Sequence, residues 1–135
     1  MFSSSAFRQK RSWNIVVVED DPLVLQVHAE MLKALGHNVS AFASPMTALG
    51  HVQGSTADVD LLITDYRMPQ ISGLDLVAQL RDSGCGFPTM ILTGSVNDVD
   101  TGRARAYGAV LVTKPLPIQE LDGHIRSLQR RGAQG

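Results

Sequence analysis

The sequence contains one cysteine, few aromatic residues and no excess of positive charge. Cys85 has no second cysteine to pair with, which excludes an intrachain disulfide and a thiolate zinc site and suits a reducing compartment. The 12 Lys and Arg residues against 13 Asp and Glu residues give a net charge of −1, so no global basic field attracts nucleic acid or anionic lipid. Any chemistry that depends on charge must therefore be local.

Several other marks of function are also missing. The four histidines (His28, His37, His51 and His124) show neither HxxxH nor HExxH spacing, which argues against a zinc protease. The apolar runs are far shorter than the ~20 residues that a membrane helix needs. The acidic residues 19–21 also end the first apolar run too early for a signal peptide. We expect a cytoplasmic protein without a membrane partner.

What the sequence does contain is an alternation of two hydrophobic periodicities between residues 13 and 130. Short apolar runs predict strands at 14–18, 39–42, 61–64, 89–92 and 109–113. Helical spacing predicts helices from Pro22, from Pro45 to about Val52, after Ser72-Gly73, from Asn97 to about Tyr107, and from Pro117. Residues 1–12 and 131–135 are expected to be flexible tails on either side of one domain.

Local signals refine two of these helices. Asp21 precedes Pro22 and is interpreted as a helix cap, and Gly36 is expected to end that helix. The apolar residues that recur at helical spacing, and so are expected inward, are Val24, Val27, Met31 and Leu35 in the first helix and Ile118, Leu121, Ile125 and Leu128 in the last.

Five strand–helix units with short connections imply an α/β fold with helices on both faces of a parallel sheet. We predict a doubly wound, flavodoxin-like sheet of five strands in the order 2-1-3-4-5, with five helices. Ligands of such sheets bind beyond the carboxyl ends of the strands.

Polar side chains collect at that edge of the predicted sheet. Glu19 and Asp20 follow the first strand, Asp65 ends the third, Thr93 ends the fourth and Lys114 ends the fifth. Two like charges ~4 Å apart repel by about 4 kcal/mol at an effective dielectric of ~20, so three acids need more than one lysine. A hard cation such as Mg²⁺ meets this need, and an aspartate nucleophile with Lys and Thr donors suits phosphoryl transfer.

The order of these residues resembles the receiver domain of two-component response regulators, including the chemotaxis regulators. The matching stretches are Val16-Val17-Val18-Glu19-Asp20-Asp21-Pro22, Leu62-Ile63-Thr64-Asp65-Tyr66-Arg67-Met68-Pro69, Ser72-Gly73, Ile91-Leu92-Thr93-Gly94 and Thr113-Lys114-Pro115. The resemblance implies that Asp65 is the phosphoacceptor, that Thr93 and Lys114 contact the phosphoryl group, and that the Lys114–Pro115 bond is cis.

The same resemblance implies a site for Mg²⁺ or Mn²⁺. Its ligands would be Asp20, Asp65 and the backbone carbonyl of Arg67, with Glu19 acting largely through water. The implied partners are a sensor histidine kinase or histidine phosphotransfer protein and a downstream protein, without direct DNA binding, and a homodimer stays open. The chain would catalyse at most its own phosphorylation and dephosphorylation.

The sequence departs from the family at three places. Leu111 stands where the family usually has Tyr or Phe as a switch coupled to Thr93, so the aromatic part of that switch is missing. Gly94 follows Thr93 where a small residue, commonly Ala, is typical. Arg67 and Ser95 occupy two variable positions near the site that are thought to tune dephosphorylation.

Three other functions are weighed against a phosphorylated receiver. A phosphatase of the haloacid dehalogenase type would need an Asp-x-Asp pair after the first strand, where this chain has Glu19-Asp20-Asp21. A flavodoxin-like electron carrier would need a phosphate-binding loop at the same place, where acids would repel the flavin phosphate. A protein-interaction module that is never phosphorylated is the third alternative.

Overall fold

The computed structural model describes residues 12–54 and 58–134, so the predicted tail at 1–12 lies outside it except for Ser12. The elements, in chain order, are β1 (Asn14–Val18), α1 (Pro22–Ala34), β2 (Asn38–Phe42), α2 (Pro45–Gly54), β3 (Leu61–Asp65), α3 (Gly73–Asp82), β4 (Thr89–Thr93), a 3₁₀ turn (Val96–Asp98), α4 (Thr101–Ala106), β5 (Ala109–Thr113) and α5 (Ile118–Gln134).

The five strands form one parallel sheet in the order β2-β1-β3-β4-β5, which confirms the predicted fold. The chain leaves β1 toward β2 at one edge and returns to β3 on the other side of β1. The carboxyl ends of β1 and β3 are therefore neighbours at the point where the winding reverses.

Both faces of the sheet are covered. Alternate residues of β1 point to opposite sides, so Val16 and Val18 join the core under α2, α3 and α4, whereas Ile15 and Val17 join the core under α1 and α5. All four of these side chains are buried. This double burial explains why the strand has no polar alternation.

The caps of α1 agree with the prediction. The Asp21 carboxylate accepts hydrogen bonds from the backbone N–H groups of Leu23 at 2.9 Å and Val24 at 3.4 Å. Gly36 follows the last turn with a positive φ of 94°, which is the left-handed conformation that favours glycine.

The inward face of α1 was predicted correctly only in part: Met31 and Leu35 pack against the core as expected, but Val27 does not. His28, Ala29 and Leu32 are its buried residues, whereas Val27 is 56% exposed. Periodicity alone does not place a helix on its sheet, because the crossing angle and the size of the contacting residues decide which stripe faces inward. A small residue such as Ala29 can also face the sheet, and the spacing of the larger apolar residues does not predict it.

Two other helices differ from the prediction. The helix expected from Asn97 to Tyr107 is instead a 3₁₀ turn followed by α4, because Asp100 accepts a hydrogen bond from the Arg103 N–H at 3.0 Å and starts a new helix there. Helix α5 continues through residues 131–134, which the sequence placed in a tail, and Ile118 at its start is 37% exposed rather than inward. Leu121, Ile125 and Leu128 are buried as predicted.

Within the described ranges, none of the helices combines the length and the apolar character needed to cross a membrane.

Candidate functional site

Three strand ends bring the ionisable groups together. Glu19 directly follows β1, Asp65 is the last residue of β3 and Lys114 directly follows β5. Strands β1 and β3 are hydrogen-bonded neighbours, which places the first two side by side. The parallel topology therefore joins residues that lie 95 positions apart in the chain.

Lys114 bridges two carboxylates. Its Nζ lies 2.7 Å from Asp65 Oδ1 and 3.3 Å from Glu19 Oε1. Both carboxylates are buried, with Glu19 3% and Asp65 7% exposed. The Lys114–Pro115 peptide is cis, as the resemblance implies.

Asp20 completes an acidic cluster with these two residues. Glu19, Asp20 and Asp65 each offer a carboxylate oxygen, and these atoms all lie within 4.8 Å of one another. Asp20 is exposed, so the cluster opens to solvent on one side. Three carboxylates against one ammonium leave an excess of negative charge, and hard oxygen donors at this spacing can hold a divalent cation.

Burial and the charges of the cluster together shift two pKa values. Burial raises the pKa of Glu19, and the charge of Asp65 adds to that rise against the opposing effects of the Asp21 N–H and Lys114. Burial acts to lower the pKa of Lys114, but the hydrogen bond and charge of Asp65, followed by those of Glu19, outweigh it and raise the pKa. Lys114 is therefore a firmly protonated donor at neutral pH.

Thr93 ends β4 with its side chain turned into the loop that follows. Its hydroxyl donates to the Ser95 carbonyl at 3.0 Å and accepts from the Ser95 N–H at 3.2 Å. The hydroxyl is thus occupied by the loop in this conformation. To donate to a group on Asp65, the hydroxyl would have to release the Ser95 carbonyl.

Arg67 lies two residues after Asp65, and its side chain points toward a different partner. The guanidinium pairs with Asp98 at 3.0 Å, across to the 3₁₀ turn after β4. The family resemblance implies a role for the Arg67 carbonyl and for its variable position near the site, but it does not predict this ion pair. Residues 31 positions apart on two loops carry no local pattern that would reveal it.

Leu111 lies in the middle of β5, opposite Ile91 of β4. It is half-buried and packs against the core on the α2–α3–α4 side. Nothing polar on this side chain can form a hydrogen bond with Thr93. The aromatic switch is absent at this position, as predicted. The side chain of Leu111 can therefore couple β5 to the site only through packing.

Gly73, the first residue of α3, packs directly against the backbone of the site. Its N–H donates to the Tyr66 carbonyl at 2.8 Å, and a Cβ at this position would overlap the Asp65 carbonyl oxygen. Ser72 caps the helix by accepting from the Asp75 N–H at 3.1 Å. The Ser-Gly pair thus sets how closely α3 packs behind Asp65.

The comparisons with known proteins agree with one another. The family model of the response regulator receiver domain matches residues 15–126. The two-component response regulator PhoP of Pseudomonas aeruginosa is 37% identical over 120 residues, which cover 88% of this chain and 52% of that protein. The cell cycle transcriptional regulator CtrA of Caulobacter vibrioides is 32% identical over 119 residues, covering 87% of this chain and 50% of that protein.

Solved structures are similar over nearly the whole domain. A receiver domain protein from Clostridium thermocellum has a TM-score of 0.83 at 26% identity, covering 90% of this chain and 98% of that one. The receiver domain of the hybrid histidine kinase CckA has a TM-score of 0.72 at 28% identity, covering 85% and 97%. The chain spans about half the length of the curated relatives described above.

Proposed function

This chain belongs to the family of response regulator receiver domains of two-component signalling, and we propose that Asp65 is its phosphoacceptor. The observation that carries the proposal is the contact of the Asp65 carboxylate with Lys114 Nζ at 2.7 Å inside the acidic cluster. A carboxylate at the switch point of the sheet, beside a protonated lysine, is suited to attack a phosphorus atom.

In the proposed reaction, a carboxylate oxygen of Asp65 attacks the phosphoryl group of a phosphohistidine. A P–O bond forms, the P–N bond breaks, and the electron pair of the broken bond stays on the imidazole nitrogen of the donor. Lys114 offers its ammonium to the phosphoryl oxygens, where negative charge builds up during transfer. The Thr93 hydroxyl becomes a second donor when it leaves Ser95.

The donor set fits Mg²⁺ or Mn²⁺, because it combines carboxylate oxygens with uncompensated negative charge. We propose that Asp20, Asp65 and the Arg67 carbonyl hold the ion and that Glu19 acts on it largely through water. When bound, the ion neutralises charge on the acidic cluster and on the phosphoryl oxygens.

The phosphoryl donor is proposed to be a sensor histidine kinase or a histidine phosphotransfer protein. Leu23 and Val27 lie one helical turn apart at the start of α1, directly after the acidic residues, and are 73% and 56% exposed. Apolar side chains beside a charged site offer a docking surface that excludes water around the reacting atoms. We propose that the donor contacts this end of α1.

The output is proposed to pass through a downstream protein. The relatives include transcriptional regulators about twice as long as the matched segment, so the predicted absence of DNA contact refers to these 135 residues alone. A cytoplasmic location and the lack of turnover on other substrates are part of the same proposal.

The test is incubation with acetyl phosphate and Mg²⁺, followed by measurement of the mass of the intact protein. We expect one added phosphoryl group in the wild type and in Asp82→Asn, an exposed acid at the end of α3, and none in folded Asp65→Asn. Labelling that persists in Asp65→Asn would overturn the assignment. An unlabelled wild type would favour an interaction module, and steady-state hydrolysis of a phosphate ester would favour the phosphatase.

The donor surface is tested with the same chemistry. Leu23→Ala and Val27→Ala should slow transfer from a phosphohistidine protein while leaving the reaction with acetyl phosphate unchanged. Met46→Ala removes a side chain of similar exposure (45%) from α2 and should affect neither reaction. Equal rates for all variants with the protein donor would place docking elsewhere.

A further inference from the structure

The segment that follows Thr93 is weakly anchored by its core contacts. Residues 95–107, all of which the structure describes, include the 3₁₀ turn and α4 and are called here the β4–α4 segment. Its only buried side chains are Val99 and Ala104, and α4 is six residues long. Hydrophobic burial therefore contributes little to the position of this segment.

Ionic contacts tie the β4–α4 segment to the chain that follows Asp65. Arg67 pairs with Asp98 at 3.0 Å near the front of the segment, and Asp75 of α3 pairs with Arg103 of α4 at 3.0 Å farther along. At the far end, Arg81 Nε donates to the Tyr107 carbonyl at 2.9 Å. The segment is thus held by charged side chains at three points along its length.

Of the three contacts, the Arg67–Asp98 pair is the one whose residues lie nearest in the chain to Asp65 and Thr93. Arg67 is two residues from Asp65, and Asp98 is three residues from Ser95, which holds the Thr93 hydroxyl. When Thr93 releases the Ser95 carbonyl to reach a phosphoryl group, the beginning of the segment is free to shift. The pair opposes that shift as long as Arg67 stays on Asp98.

A phosphoryl group on Asp65 changes what Arg67 can bind. It adds negative charge and acceptor oxygens two residues along the chain from Arg67, and arginine binds phosphoryl oxygens with two parallel donors. Asp98 offers one carboxylate at an exposed position, where solvent screens the attraction. The competition favours the phosphoryl group.

We propose that the Arg67–Asp98 ion pair holds the β4–α4 segment in its resting position, and that phosphorylation of Asp65 releases the segment by drawing Arg67 to the phosphoryl oxygens. The inference rests on the proposed function and names a regulatory contact of the same site. It also supplies a link between Asp65 and the segment in a chain whose Leu111 provides no aromatic switch.

The decisive measurement is amide hydrogen exchange of residues 96–107 with and without Mg²⁺ and beryllofluoride, which mimics a phosphoryl group. An exposed ion pair shifts an equilibrium by about 1.4- to 5-fold. We therefore expect Asp98→Asn and Arg67→Gln each to speed exchange of the resting protein by about this factor. The double variant should exchange no faster than either single variant, because all three lose the same contact.

The matched control is Asp122→Asn. It makes the same charge change in an exposed ion pair, Arg126–Asp122 at 2.8 Å, that lies within α5. Exchange at 96–107 should be unchanged in this variant. Added NaCl should speed exchange more in the wild type than in Asp98→Asn, because both keep the exposed Asp75–Arg103 pair whereas only the wild type also has the Arg67–Asp98 pair.

Beryllofluoride binding tests whether the Arg67–Asp98 pair must break when the segment is released. Asp98→Asn should bind beryllofluoride more tightly than the wild type, by the same 1.4- to 5-fold factor, because no ion pair must be broken. The inference would be overturned if Asp98→Asn matched the wild type in resting exchange or in beryllofluoride affinity. Additive effects in the double variant would overturn it as well.

Failure of the proposed function has a different signature. A wild type that is not labelled on Asp65 and whose exchange ignores beryllofluoride would overturn the phosphoacceptor role, and release by phosphorylation would be overturned with it. Normal labelling of Asp65 together with unaltered exchange in Asp98→Asn would overturn the ion-pair inference alone.

Discussion

Lys114 places one positive charge among three carboxylates, and the balance between them sets the stability of the site. At an effective dielectric of ~20, one attraction across the 2.7 Å to Asp65 is worth about 6 kcal/mol. Each repulsion of Asp65 by Glu19 or Asp20 across at most 4.8 Å costs about 3 kcal/mol or more. Asp20 is exposed, so solvent screens its repulsion, yet the two repulsions together offset much of the attraction and favour a bound cation.

The first prediction concerns Asp65→Asn without phosphorylation. Because the amide removes both repulsions and still offers an oxygen to Lys114, the metal-free variant should be more stable than the wild type by about 1 kcal/mol. Mg²⁺ should raise the melting temperature of the wild type, as any ligand specific to the native state does, and should raise that of the variant less. A wild-type melting temperature that ignores millimolar Mg²⁺ would contradict this prediction.

The second prediction follows from the raised pKa of Glu19. Burial raises this pKa above its unfolded value, so the stabilisation from protonated Glu19 is present below the unfolded pKa and is lost as the pH rises through the folded pKa. The side chain in Glu19→Gln stays neutral at every pH, so the variant does not lose this stabilisation as the pH rises. In urea unfolding with a chelator present, the variant should gain stability relative to the wild type as the pH rises from 4.5, the ordinary pKa of a glutamate, toward neutral.

The control for this experiment is Glu30→Gln, which changes an exposed carboxylate of α1 in a surface pair with Lys33. Its stability difference from the wild type should show no comparable rise with pH. A difference between Glu19→Gln and the wild type that stays constant over this range would mean that Glu19 ionises normally in the folded protein.

At the scale of elements, the start of α3 packs closely against the backbone at the end of β3, behind the site. The third prediction is that Gly73→Ala destabilises the protein by about 1–3 kcal/mol, because the added Cβ overlaps the Asp65 carbonyl oxygen and forces the backbone apart. Gly123→Ala is the matched control, since no atom lies within 4 Å of a Cβ there. It should leave stability unchanged or raise it by up to about 1 kcal/mol, as expected in a helix interior.

Denaturant unfolding of both variants measures the difference, and phosphorylation by acetyl phosphate measures its consequence for the site. Gly73→Ala should also slow labelling of Asp65, because α3 and the Asp65 backbone share this contact. Equal stability of the two alanine variants would show that α3 can shift away from β3 at little cost.

At the scale of the whole molecule, the acidic cluster and Trp13 lie at opposite ends of the sheet. Trp13 precedes β1 and borders a cavity of about 590 Å³ together with residues that precede β3, β4 and β5. It is the only tryptophan of the chain. The molecule therefore carries one tryptophan reporter, and that reporter lies far from the proposed metal site.

The fourth prediction is that Trp13 emission responds weakly to Mg²⁺. The variant Trp13→Phe/Tyr66→Trp moves the reporter next to Asp65, and its emission should change clearly on metal addition. Strong quenching of Trp13 in the wild type would mean that the ion binds near the amino-terminal ends of the strands or reorganises the whole sheet.

The sequence by itself determined the order of strands and helices, the parallel sheet and the approach of Glu19, Asp65 and Lys114. These features follow from short-range rules: apolar runs with no polar alternation, caps such as Asp21 and Gly36, and the fact that parallel strands end at one edge. The roles of the site residues stay predictions until phosphorylation is measured.

Only the tertiary structure decided how the elements meet. It placed His28 and Ala29 rather than Val27 on the inner face of α1, divided the helix after β4 at Asp100, and turned the Arg67 side chain to Asp98. Each of these depends on side-chain volume, crossing angle or charge between residues far apart in the chain. Such contacts leave no period in the sequence, because they are selected by the packing of the whole domain rather than by the neighbours of any one residue.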